Sequence, residues 1–433
     1  MNKARLTPTK YTLRPPAGYQ LTAGSGSGVR IAMTRTADVA IVGGGIVGLA
    51  MADAILGRHP GLRVVVLEKE SHLGEHASGR NSGVLHAGFY YAPDTLKAAL
   101  TRRGNQLLHE FCEAHGVTLR RCGKVVVTAS EDELPALHQL HERGRANGVD
   151  VTLVDEGDLA GLEPLARTVG AALWSPTTSV ADPHQVIEAL AGQVREAGGV
   201  VELGARAESG GPGHLVVSGQ RWDVGHVVNS AGLYADVVGS WFGFCDDYVV
   251  LPFKGLYWYG NWPAGRLRRH VYPVPDPKNP FLGVHLTVTP SGGVKVGPTA
   301  IPALWREDYG GFGNFEAREV GQVLRQYPRF LTSPHHDVPA LVRAEVPKYL
   351  RRHLVKQARS LVPSLDPADF TVKGRPGVRA QMWSIPGRRL EMDFVVRGDD
   401  RSTHLLNVVS PGWTSSLAVA EHVVSKMESI GAF

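Results

Sequence analysis

Apolar positions along this chain follow two periods. The run Val39-Ala40-Ile41-Val42 is continuously apolar, as in a strand buried on both faces, and it breaks at Gly43-Gly44-Gly45-Ile46-Val47-Gly48 into a stretch with Ala50, Ala54 and Leu56 at helical spacing. A second apolar run, Val64-Val65-Val66-Leu67, ends in Glu68. The pattern predicts a β-α-β unit with G-x-G-x-x-G spacing at Gly43, Gly45 and Gly48, in the strand-turn-helix setting that motif needs. Gly43 would make the tight turn, Gly45 would let backbone N–H groups approach a pyrophosphate, and Gly48 would let the helix pack on the strand. Glu68 is placed to accept from ribose hydroxyls, which favours an unphosphorylated diol and argues against NADP.

Further along, Leu96, Leu100, Leu107, Leu108 and Phe111 predict a helix with its N-cap at Asp94 and its end at Gly116. Ala171-Ala172-Leu173-Trp174 reads as a strand, Asp182-Pro183 as a helix start, and Val200 to Leu203 as another short strand. Val227-Val228-Asn229-Ser230-Ala231-Gly232 reads as a strand ending in small residues, as where a chain passes beneath a cofactor, which brings in Gly232. From Leu251 to Thr299 the chain is dense in Pro, Gly and aromatics, with expected strands at 254–259, 281–288 and 294–296 that suggest an antiparallel sheet. Residues 318–361 read as helical. The chain then returns to strands, ending with 405–409, a turn at Ser410-Pro411-Gly412 and a helix to Met427.

Composition narrows the classes. With 433 residues, 43% hydrophobic and 20% charged, this is an ordinary globular chain of two or three domain-sized units. The formal charge of +5 resides in a tail: residues 1–36 hold Lys3, Arg5, Lys10, Arg14, Arg30 and Arg35 and no acid, leaving the remainder near neutrality. A nucleic-acid-binding body is disfavoured, since phosphate tracking needs a positive surface on the fold itself. The tail, with its flexible 24–28 Gly/Ser stretch, is read as a disordered extension, a transit peptide, or a mis-set start ahead of Met33. Cys112, Cys122 and Cys245 have neither metal nor disulfide spacing and read as free thiols in a reducing, cytoplasmic setting. No metal site is expected. The 38–56 run is a poor membrane span, broken by four glycines and by Asp38 and Asp53. Lys348, Arg351, Arg352, Lys356 and Arg359 fall on one helical face that could meet acidic lipid at the inner membrane, or serve simply as a solvated face.

The segment EHASGRNSGVLHAGFYY (75–91) resembles the L-2-hydroxyglutarate dehydrogenase/oxidase family within the D-amino-acid-oxidase-like flavoproteins. The resemblance continues in LKAAL (96–100), CGKVVV (122–127), FKG (253–255), YPVPDPKNPFLGVHLT (272–287), VGP (296–298), GVRAQ (377–381) and SPGWTS (410–415). It implies an α/β fold: a Rossmann-like FAD-binding domain built from discontinuous segments (37–90, 165–245 and 377–433), with an inserted, mainly antiparallel β-sheet substrate domain (91–164 and 246–376) and the tail outside both. It further implies FAD, with Gly45, Ile46, Glu68 and Lys69 on the ADP half, Asn81, Ser82 and Gly83 at the pyrophosphate and flavin, and the backbone of Ala207 at the adenine. Ser410, Pro411, Gly412, Trp413, Thr414 and Ser415 would close over the isoalloxazine. Arg80, Lys254 and Trp413 depart from the His, Arg and small residue usual in the family.

The chemistry implied is oxidation of a 2-hydroxy acid, L-2-hydroxyglutarate to 2-oxoglutarate, with oxygen or a quinone as acceptor. Such a reaction needs a base titrating near neutrality, and the histidines that the resemblance places near the flavin are His86 and His285; either fits the role. Arg379 matches the family's carboxylate clamp, and a guanidinium provides both charge and orientation. For a second carboxylate Lys254 is the candidate, with Arg80 in reserve. An amino-acid or amine oxidase of the same superfamily, or a flavin-binding protein without turnover, would share most of these features. No oligomeric state is implied.

Overall fold

The computed structural model describes residues 34–433 apart from 277–278, 280 and 312–313, together with the strand Tyr19–Gln20. The rest of the 1–36 tail lies outside the described residues. Tyr19–Gln20 pairs antiparallel with Thr34 and Arg35 at the start of the strand Thr34–Val42, so the expectation of disorder throughout 1–36 is corrected at both of these places.

A nine-stranded sheet forms the first layer. Its centre is parallel: Val200–Glu202, Val64–Leu67, Thr34–Val42, Gln220–Asn229 and Ser402–Asn407 lie side by side. Alternation along Thr34–Val42 sends Val39 and Ile41 to one face and Ala40 and Val42 to the other, and both faces are covered. Helices Ile46–Arg58, Pro183–Glu196 and Gly412–Ser429 close the first face around Leu49, Ile55, Leu190 and Val423. Asp182 caps its helix as expected, accepting from His184 N and Gln185 N. The helix Leu96–Ala114 is instead capped by Thr95, which accepts from Ala98 N at 3.2 Å, one residue beyond the expected Asp94.

The second layer is an eight-stranded sheet, antiparallel except where His270–Pro273 runs parallel to Lys124–Val127. It takes the strand Ala172–Ser175, paired with Lys124–Val127 and Thr152–Val154, so the segment boundary expected at 165 falls on the wrong side of this strand. Four apolar residues in a row do not disclose which sheet they complete. Likewise Gly377–Ser384 pairs with Tyr248–Gly255 in a separate four-stranded sheet rather than in the parallel one. The single strand expected at 254–259 is divided at Gly255, and Trp258–Tyr259 belongs to the eight-stranded sheet.

Register in the eight-stranded sheet decides which side chains share a face. Lys124 is opposite His270, Val271 is opposite Leu286, and Thr287 is opposite Lys295, which puts Lys124, His270, Tyr272, His285, Thr287 and Lys295 on one face. Val125, Val127, Val271, Leu286, Val288, Val294 and Val296 fill the other face as an apolar core. Helices Ala317–Leu331, Val338–Glu345 and Arg351–Ala358 follow, in the region read as helical. The basic face expected there is broken, because Lys348 is buried against Glu345 while Arg352, Lys356 and Arg359 are exposed. Among the described residues no helix is long and apolar enough to cross a membrane.

Candidate functional site

The glycine turn is built by steric necessity. Gly43 has φ +108°, and a Cβ there would stand 2.5 Å from the Ser230 carbonyl oxygen. At Gly48 a Cβ would stand 2.0 Å from the Gly43 carbonyl, so this residue closes helix onto strand as the motif predicts. Gly45 is the N-cap of Ile46–Arg58 and offers no side-chain cap, which leaves the positive end of the helix open. Ile46 N donates to Ser78 Oγ at 3.0 Å, and Glu68 braces the turn by accepting from Gly44 N at 3.0 Å and Glu70 N at 2.9 Å. Each Glu68 oxygen retains a further lone pair for a hydroxyl.

A cavity of about 810 Å³ runs from this turn between the two layers. Gly43, Gly45, Ile46, Glu68, Lys69, Asn81, Ser82, Ala207 and Gly232 line it, as do Ser410, Pro411, Gly412, Trp413 and Thr414 at the start of the last helix. His86 and Arg379 stand on its walls. The dimensions and donor set fit an adenine dinucleotide carrying a flavin: a bare helix end for the pyrophosphate, a carboxylate for the ribose, and a second helix N-terminus at Gly412.

Of the remaining expected residues, some lie elsewhere and some are already held by protein partners. Gly83 has φ +73° and is pressed against the Ala181 carbonyl, so it shapes the 81–83 turn from behind. Ser415 is fully buried with its Oγ 3.2 Å from Thr101 Oγ1, on the side of the last helix turned away from the cavity. Lys69 Nζ is tied to Glu307 at 2.7 Å and to Glu70. Lys254 is a correction: it does not line the cavity, and its Nζ is 2.5 Å from Asp308 Oδ1. The cavity side of that strand is taken by its neighbours Phe253 and Gly255, and alternation turns Lys254 the other way. Arg80 reaches the cavity wall but bonds Glu75 O and Pro376 O and lies 4.1 Å over the Tyr309 ring.

The two histidines separate clearly. His285 does not line the cavity; it stacks on Tyr272 at 3.7 Å, with its Nδ1 donating to Gly283 O at 2.8 Å. Burial pushes it down to about 3. His86 faces the cavity, its backbone fixed by Thr414 Oγ1, which accepts from His86 N at 3.2 Å, and by Asn105 Nδ2, which donates to His86 O at 3.2 Å. Burial holds its pKa well below the usual histidine range, so the ring is neutral. The half-buried Arg379 guanidinium makes no hydrogen bond or ion pair among the described residues and lies 5.2 Å over the Phe281 ring.

Sequence reasoning missed Ser78, Lys124, Tyr257 and Lys295. Tyr257 lines the cavity, and Lys295 Nζ donates to Ser82 O at 3.1 Å, with burial pushing the amine down to about 8. A signal existed for both lysines. Lys124 heads the apolar run Val125-Val126-Val127 and Lys295 interrupts Val294-Lys295-Val296, and a charge in such a place is costly unless it has work to do.

The FAD dependent oxidoreductase (DAO) family matches residues 38–426. The mitochondrial L-2-hydroxyglutarate dehydrogenase of Bos taurus is 35% identical over 432 residues, covering 93% of this chain and 90% of that one. That of Nematostella vectensis is 37% identical, covering 90% of each, and the L-2-hydroxyglutarate dehydrogenase of Salmonella houtenae is 33% identical, covering 91% and 93%. Among solved structures, the dithionite-reduced L-alpha-glycerophosphate oxidase of Mycoplasma pneumoniae with FAD bound superposes with a TM-score of 0.73 at 22% identity, covering 91% of this chain and 95% of that one. Glycine oxidase of Geobacillus kaustophilus gives 0.68 at 20% identity, covering 92% and 95%. At these identities the structural likeness speaks to the fold alone.

Proposed function

This chain belongs to the FAD-dependent oxidoreductase family, and from that premise we propose that it oxidises a 2-hydroxy acid, L-2-hydroxyglutarate to 2-oxoglutarate. The observation that carries the reading is one cavity holding an uncommitted guanidinium, Arg379, together with a neutral imidazole, His86. When bound, FAD supplies the two-electron acceptor. Arg379 binds the carboxylate next to the reacting carbon through two parallel hydrogen bonds, which orients Cα and its hydroxyl. His86 Nε2, which has no protein partner among the described residues, takes the hydroxyl proton. His285 is less suited to that role, since it does not line the cavity and its Nδ1–H is already spent on Gly283. Phe253 and Trp413 add apolar surface to the cavity lining.

The test is anaerobic titration of the purified, FAD-loaded protein with L-2-hydroxyglutarate, its D enantiomer, L-glutamate and 2-hydroxybutyrate, reading flavin absorbance. Bleaching is expected with the first at the lowest concentration. Bleaching by L-glutamate in its place would make the protein an amino-acid oxidase, and none by any acid would make it a flavin-binding protein without this turnover. Steady-state assays with oxygen and with a soluble quinone then identify the acceptor.

A further inference from the structure

Lys124 sits at the head of a buried strand with a fully buried side chain, and among the described residues no carboxylate pairs with it. Its Nζ is 3.4 Å from His86 Nδ1 and 4.1 Å from the centre of the Tyr272 ring, with Tyr90 and Phe89 at 5.1 and 5.5 Å. We propose that Lys124 is a positioning residue for His86: as a neutral amine it accepts the Nδ1–H, which leaves the Nε2 lone pair facing the cavity, and it takes that proton onward during turnover. The proposal rests on the reading of His86 as the base.

The proton balance is direct. As the substrate O–H breaks, a bond forms from that proton to His86 Nε2; the His86 Nδ1–H then breaks and the proton passes to Lys124 Nζ. The pair ends as an ammonium beside a neutral imidazole carrying its proton on Nε2, and the two electrons of the Cα–H bond leave with hydride, for which bound FAD would be the two-electron acceptor in the proposed oxidation. A charged ammonium before the reaction would have the opposite effect. It would donate to Nδ1, fix the proton on Nε2 and leave no lone pair there to act as a base.

The surroundings favour the neutral amine at working pH. Facing Lys124 are His86, the phenols Tyr90 and Tyr272, the neutral rings His270 and His285, and the Cys122 thiol. None of these is an anion near neutrality, because burial raises the Tyr90, Tyr272 and Cys122 values and lowers both histidines. Burial accordingly pushes Lys124 down to about 7. The aromatic faces compensate part of the cost of its charged form.

The experiment is the pH dependence of kcat/KM, from about pH 5.5 to 9.5, for the FAD-loaded wild type, Lys124→Met, Lys124→Arg and His86→Asn. Wild-type activity should fall as pH drops through about 7, where the amine gains its proton. Lys124→Met should be on the order of tenfold slower at pH 8.5 and lose that acid limb. Lys124→Arg, which cannot shed its charge, should lose on the order of a hundredfold at every pH. A structural lysine would shift stability and leave the limb in place, so Lys124→Met with a wild-type limb, or an active Lys124→Arg, overturns the proposal. An active His86→Asn instead overturns the reading of the base, and an inactive His86→Asn with the limb intact in Lys124→Met overturns the relay alone. Should the lysine variants fail to hold FAD, the wild-type imidazole ¹⁵N signal that disappears in His86→Asn decides the matter. It should report the Nδ1-protonated ring above pH 8 and the Nε2-protonated ring below pH 6, and a ring that stays Nε2-protonated throughout overturns the proposal.

Discussion

Lys254 Nζ and Asp308 Oδ1 lie 2.5 Å apart with both side chains largely out of solvent, and each is the other's charge partner across 54 positions of chain. Replacing Lys254 by Met strands a buried carboxylate, and the loss should be about 3 kcal/mol, read as a lowered Tm. The ratio of kcat/KM for L-2-hydroxyglutarate over 2-hydroxybutyrate should not change. A collapse of that ratio in Lys254→Met would return the ammonium to the substrate.

Arg379→Met should affect every 2-hydroxy acid alike, because the contact it removes is the one they share. The expected loss is about 3 kcal/mol of transition-state stabilisation, roughly a hundredfold in kcat/KM, with flavin content unchanged. Loss of FAD from this variant would show instead that the guanidinium holds the cofactor.

At Gly45 a Cβ would already stand 2.9 Å from Ser78 Oγ, within the bond that orients the helix N-terminus. Gly45→Leu should give a folded, colourless protein. The 450 nm region of its absorbance spectrum reads this directly, and a full flavin spectrum would contradict the placement of the pyrophosphate.

The three thiols should be silent. Burial pushes Cys112 and Cys245 up to about 12 and Cys122 up to about 11, so at pH 8 almost no thiolate is present in the native state. An alkylating reagent should leave native protein unmodified and label all three cysteines after denaturation. Rapid labelling of the native protein would show that one of them opens to solvent.

What the sequence by itself determined is local. The β-α-β unit was legible because its conditions are met within about thirty residues: an apolar strand, glycines where no side chain fits, a helix face and a terminal carboxylate. The cap at Asp182 was legible for the same reason. What the tertiary structure decided is which side of a strand meets the cavity and which distant group neutralises a charge. Alternation makes Phe253 and Lys254 face opposite ways, but nothing in the pattern tells which of the two meets the cofactor, and Asp308 lies too far along the chain to be recognised as the partner. The same limit left His86 and His285 equivalent until register stacked one on Tyr272 and opened the other to the cavity. Lys124 was visible as a charge beside an apolar run, yet its meaning depends on a through-space distance of 3.4 Å to a residue 38 positions earlier, and only packing of the segment after Val84–Leu85 against the eight-stranded sheet sets that distance.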